Sequence, residues 1–176
     1  MLLLVLFCAS IFTPNPLAAQ SLSGRRAPSF SLPDSSLNEH DLLDYRGRWL
    51  LLDFMKTDCP HCKALSQNLE GVKKRYPGKV DVLSIVIAPP ENQATVGKYM
   101  SENKLTNPIV FDQGQVAVTY FKATPQRPGF DTPHLFVIDP NGNIVRDWPQ
   151  SETAILEGPG LAKELDQLVN AKPTQK

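Results

Sequence analysis

The chain has 176 residues, 41% of them hydrophobic and 20% charged, a globular composition with length enough for one domain and a short leader. Lys plus Arg and Asp plus Glu each count 18, so the net charge is zero and no basic block stands out. That balance argues against nucleic acid as a partner.

The chain begins MLLLVLFCASIFTPNPLAAQ, apolar from Leu2 to about Phe12 and then broken by Pro14 and Pro16 ahead of the small pair Ala18-Ala19. The pattern predicts a secretory signal peptide over 1–19, cleaved near Ala19, with an N-terminal membrane anchor as the alternative. About 11 helical residues cover roughly 17 Å, short for a hydrocarbon core of about 30 Å. The predicted location is therefore extracytoplasmic, such as a periplasm. Cleavage also removes Cys8, which leaves Cys59 and Cys62 as the cysteines of the mature chain. Two such neighbours in an oxidising compartment form a disulfide or are actively kept reduced.

Beyond the leader, β-forming residues run at 29–32 and again at 48–54, the second a candidate buried central strand. After Cys59 the period changes. Leu65, Leu69, Val72 and Tyr76 recur at helical spacing until Pro77-Gly78, and Pro60 falls at the first helical position, where a missing N–H does no harm. The continuous apolar run 79–88 reads as a parallel-type strand, ended by Pro89-Pro90. A helix at 93–103, a strand at 108–112 and a helix at 115–121 follow. The chain then loosens through KATPQRPGFD. Strands at 134–139 and 143–148, joined at Pro140-Asn141-Gly142, predict a hairpin, and Leu161, Leu165, Leu168 and Val169 mark a closing helix. Residues 171–176 read as a tail, leaving one domain over 24–170. The order of elements predicts an α/β fold with a mixed central sheet flanked by helices. The cysteine pair then lies at the carboxyl end of a central strand, where open α/β sheets carry their chemistry.

TDCPHCKAL, 57–65, is where that chemistry concentrates. A thiolate is the reactive form of cysteine, and a helix N-terminus together with His61 favours it at Cys59. Cys59 is the predicted attacking sulfur and Cys62, one turn further in, the resolving one. Asp58, an anion beside Cys59, works against the thiolate. A zinc site would need a second ligand pair, and the other histidines, His40 and His134, supply none. A purely structural disulfide would close so small a ring that it would constrain the unfolded chain little.

Cys-Pro-His-Cys after LLLDF, with GRRAPSFSLPD before it and TPHLFVIDPNGNIV after it, resembles the thioredoxin superfamily. Within it the arrangement is most similar to the exported TlpA/ResA-type thiol-disulfide oxidoreductases, from about Gly24 to the last helix. The resemblance implies a thioredoxin-like fold with an N-terminal β extension and an inserted strand and helix. It implies no cofactor and no metal, a protein disulfide or dithiol as substrate, and a membrane redox partner that recycles the pair. It makes Pro133 a cis-proline beside the cysteines, with the Thr132 backbone offered to a substrate chain. Asp53 matches a buried carboxylate that takes a proton from the resolving cysteine, a role suited to a raised pKa.

The chain also departs from its relatives. Met55 and Asp58 stand where thioredoxin has Trp, and Leu65 stands where the ResA-type branch often has Glu. The segment between Tyr120 and Pro133 is long, which makes Phe130 and Arg127 candidate substrate contacts in a loop over the site. The scaffold implies reduction of protein disulfides, as in cytochrome c maturation. Pro60-His61, shared with DsbA-type oxidases, keeps the opposite direction open; thioredoxin and DsbA differ by about 150 mV, or roughly 7 kcal/mol. A peroxiredoxin would need Pro and Thr where Leu52 and Lys56 stand, and a Sco-type copper protein a wider cysteine spacing.

Overall fold

A computed structural model describes residues 22–170. The leader predicted at 1–19 and the tail at 171–176 lie outside the described residues. Strand β1 (Arg25–Arg26) is followed by β2 (Ser31–Pro33), β3 (Glu39–Asp41), a 3-10 turn at Leu42–Tyr45, and β4 (Trp49–Phe54). Helix α1 (Pro60–Arg75), β5 (Val80–Ile87), α2 (Gln93–Asn103), β6 (Ile109–Asp112) and α3 (Gln115–Phe121) come next. The hairpin β7 (His134–Ile138) and β8 (Asn143–Trp148) and the helices α4 (Thr153–Leu156) and α5 (Gly160–Val169) complete the order.

The main sheet runs β1-β8-β7-β4-β5-β6, with β4, β5 and β6 mutually parallel and β7, β8 and β1 antiparallel. It is the mixed sheet the order of elements implied. Residues Leu50 to Phe54 are all buried, as a central strand covered on both faces requires. Side chains alternate along it. Leu50, Leu52 and Phe54 join Phe136, Ile85 and Tyr120 on one face; Leu51 joins Leu65, Leu69, Val137, Leu161 and Leu165 on the other. A third cluster holds Met55, Cys62, Val86, Val96, Tyr99 and Ile109, so the second cysteine is part of the core.

The strand predicted at 29–32 is displaced to Ser31–Pro33, where it pairs with β3 as a separate two-stranded ribbon. Phe30 turns into the core and its carbonyl accepts from the Leu42 N–H, so that residue serves as an anchor. The N-terminal β extension is thus this ribbon together with β1, whose two arginines carry no apolar alternation to reveal it. At the β7–β8 turn, the Asp139 carboxylate accepts from the Asn143 N–H at 2.8 Å, and Gly142 sits at φ 81°, a conformation natural to glycine. There the Arg46 guanidinium occupies the space a Cβ would need.

Candidate active site

β4 delivers the chain to the sheet's carboxyl edge, and α1 leaves from it within six residues of Phe54. Cys59 is the N-cap of that helix and Pro60 its first residue, so the motif CPHC is also a helix start. Cys59 and Cys62 are joined as a disulfide with Cα atoms 5.2 Å apart. The Cys62 N–H donates to the Cys59 sulfur at 3.1 Å, a cap made by sulfur in place of the usual oxygen. Cys59 is half-buried while Cys62 is wholly buried, which makes the first sulfur the one a substrate can reach. Across from it, the Thr132 carbonyl oxygen lies 3.8 Å from the Cys59 sulfur, and Thr132–Pro133 is a cis peptide bond. Two further cis bonds, Ala88–Pro89 and Pro89–Pro90, follow β5.

Asp53, on β4, is completely buried, and neither carboxylate oxygen has a hydrogen-bond partner. Burial pushes its carboxyl up to about 8. This carboxyl is therefore mostly neutral at pH 7, six residues before Cys59 in the chain. The loop into Cys59 is fastened by another buried carboxylate. Glu91 accepts from the Thr57 N–H at 2.8 Å, from the Thr57 hydroxyl at 2.9 Å and from the Thr95 hydroxyl at 2.7 Å. Beside this knot Lys56, Asp58, Ile87 and Pro90 help line an open cleft of about 360 Å³.

His61, expected to favour the Cys59 thiolate, has a charged partner of its own. Its Nδ1 is paired with the carboxylate of Glu157, from the turn between α4 and α5. No local pattern could have joined residues ninety-six positions apart. Glu91 was equally silent in the sequence, since its partners are supplied by a loop and a helix cap thirty-four and four positions away. The other histidines are dispersed: His40 bonds Tyr45 and Asp34, and His134 is buried against Phe121 and Phe136. Met55 and Leu65 are wholly buried, so hydrophobic packing stands where thioredoxin has Trp and ResA-type proteins often have Glu.

The long segment before Pro133 is anchored from within. Phe130 stacks on Phe121 at 4.1 Å between ring centroids and meets Phe54 edge-on, so it packs against the core rather than overhanging the site. Arg127 is exposed at a tight turn in which its N–H and carbonyl pair with those of Thr124. Leu52 is fully buried in β4 and Lys56 exposed, which leaves a peroxiredoxin's Pro and Thr without counterparts.

Residues 23–147 match the AhpC/TSA family, a span that holds β4, the cysteine pair, Pro133 and all of the hairpin but Trp148. The chain belongs to the AhpC/TSA family. This family member is 30% identical over 122 residues to the thiol-disulfide oxidoreductase ResA of Geobacillus kaustophilus (strain HTA426), covering 69% of this chain and 66% of that one. It is 30% identical over 137 residues to ResA of Geobacillus thermodenitrificans (strain NG80-2), covering 77% and 72%. The thioredoxin domain of a thiol-disulfide oxidoreductase from Bacteroides vulgatus superposes with a TM-score of 0.68 at 20% identity, over 84% of this chain and 98% of that one. The fold is thioredoxin-like, and this AhpC/TSA member is a thiol-disulfide oxidoreductase of ResA type with Cys59 and Cys62 as its pair.

Proposed function

We propose that this oxidoreductase works outside the cytoplasm as a reductant of protein disulfides, as in cytochrome c maturation, and is itself recycled by a membrane redox partner. The supporting observation is the asymmetry of the pair: a reachable Cys59 capping α1 beside the Thr132 carbonyl, and a Cys62 sealed in the core. In the reduced protein the Cys59 thiolate attacks one sulfur of a substrate disulfide. A mixed disulfide forms, and the other substrate sulfur leaves as a thiolate that takes a proton from solvent. Cys62 then gives its proton to the ionised fraction of Asp53 and attacks the Cys59 sulfur. The Cys59–Cys62 bond forms, the mixed disulfide breaks, and the substrate departs with both electrons. A raised pKa suits Asp53 to hold that proton once it has taken it.

Thr132 and Pro133 offer the edge along which a substrate chain lies, and Arg127 is an exposed cation of the loop that leads to it. Export rests on the apolar leader at 1–19; no helix among the described residues is long and apolar enough to cross a membrane. Insulin reduction with dithiothreitol as electron source tests the reading. The wild type accelerates it and Cys59→Ser does not; an unchanged rate in the variant refutes the redox assignment. The couple's reduction potential decides direction, a value near thioredoxin's supporting reduction and one near DsbA's the oxidation of secreted proteins.

A further inference from the structure

We propose that Glu157 is a positioning residue for the redox pair, tying up the imidazole of His61 so that the couple stays reducing, an inference that rests on the reductant reading above. A histidine inside such a motif makes the couple oxidising by stabilising the thiolate that reduction creates. It does so only if its charge is free to face that sulfur. Here the hydrogen-bonding contacts of the Cys59 sulfur, among the described residues, are the Cys62 N–H and the Thr132 carbonyl. The imidazole Nδ1 is committed to Glu157.

That commitment is built into the fold. Leu156, adjacent to Glu157, is wholly buried in the α1-side core. Asn68, two turns along α1 from His61, donates from its side-chain amide to the carbonyls of Leu156 at 2.9 Å and Gly158 at 3.1 Å, gripping the backbone on both sides of Glu157. The turn itself is closed too tightly for side chains: a Cβ would lie 3.0 Å from the Ala154 oxygen at Gly158 and 2.6 Å from it at Gly160. Glu157 is therefore held where its carboxylate meets His61 of the motif. A protonated His61 paired with a carboxylate has its charge cancelled at the distance of the thiolate, and a neutral one has its nitrogen occupied. Either way the histidine contributes less to the reduced form than it would alone.

The test is the equilibrium constant of the pair against glutathione at pH 7 for wild type, Glu157→Gln, Asn68→Ala, His61→Ala and the double variant His61→Ala/Glu157→Gln. An exposed ion pair is worth up to about 1 kcal/mol, so Glu157→Gln should move the couple about fivefold towards oxidising, on the order of 20 mV at 29.6 mV per tenfold. Asn68→Ala moves it the same way by a smaller factor. In the His61→Ala background the effect of Glu157→Gln falls below twofold. No shift in Glu157→Gln, or a shift towards reducing, overturns the proposal. So does an equal shift without His61, because Glu157 would then act by its own charge. A wild-type potential near DsbA's would overturn the reductant reading, whereas the role of Glu157 is decided by the differences between variants alone.

Discussion

Replacing Asp53 with Asn should make the oxidised protein more stable at neutral pH than at acid pH relative to wild type, by an amount that follows from burial. The folded-state value is about 8 and the unfolded reference about 3.9, so a proton retained by the folded protein is released on unfolding anywhere between them. A folded pKa above the unfolded one contributes stability that is fully present below about pH 3.9 and is lost as pH rises towards 8. Each pH unit inside that window costs about 1.4 kcal/mol, which amounts to about 4 kcal/mol between pH 4 and pH 7.5. Asn titrates nowhere in this range. It brings its own cost, about 1–3 kcal/mol for a buried amide without partners, but that cost is the same at both pH values and cancels in the comparison. Urea unfolding of wild type and Asp53→Asn, disulfide intact, at pH 4 and pH 7.5 gives the four free energies needed. A difference between the two pH values below 1 kcal/mol would refute the placement of Asp53 as a buried neutral acid.

Two other tests address the site and its scaffold. Cys62→Ser lacks the resolving sulfur, so it should accumulate a mixed disulfide with a small disulfide such as oxidised glutathione, visible as one adduct on Cys59 in the intact mass. Glu70, largely buried on α1, accepts from the Thr106 N–H at 2.6 Å, the Thr106 hydroxyl at 2.9 Å and the Asn107 N–H at 2.9 Å. Burial works against its ionisation, but these donors outweigh burial and lower its pKa. Glu70→Ala should therefore lose about 3 kcal/mol by urea unfolding at pH 7, through donors left unsatisfied. A depressed folded pKa is stabilising above the unfolded value, about 4.3, and that gain is lost as pH falls through the folded value, so the deficit of the variant should shrink in acid.

Most of the scaffold was legible because its signals are local. The α1 face at Leu65, Leu69 and Val72 is the buried face, and 93–103, 115–121 and 143–148 fall on α2, α3 and β8 as predicted. The cysteine pair announced itself for the same reason: three positions of spacing, a proline and a helical pattern are all contained in TDCPHCKAL. What escaped was made by contacts distant in the chain. Phe130 looked available because aromatic residues in loops often are, yet Phe121 offers it a stacking partner that only the folded topology brings near. His61 looked free to serve Cys59 because Glu157 lies ninety-six positions away. β1 has two residues and owes its existence to the edge of β8, and α4 is a single turn with no apolar repeat to detect.

The sulfur that caps α1 is also the one that carries the electrons, so helix stability and redox state form a closed thermodynamic cycle. The extent to which the fold favours the disulfide over the dithiol equals the difference in unfolding free energy between the two forms. A reductant is then a protein whose oxidised form is the harder to unfold. The thiolate of the reduced form accepts the Cys62 N–H more strongly than the disulfide sulfur does, as charged acceptors do. That stronger cap works against the ordering a reductant needs. The first turn of α1 thus sets a ceiling on how reducing this couple can become.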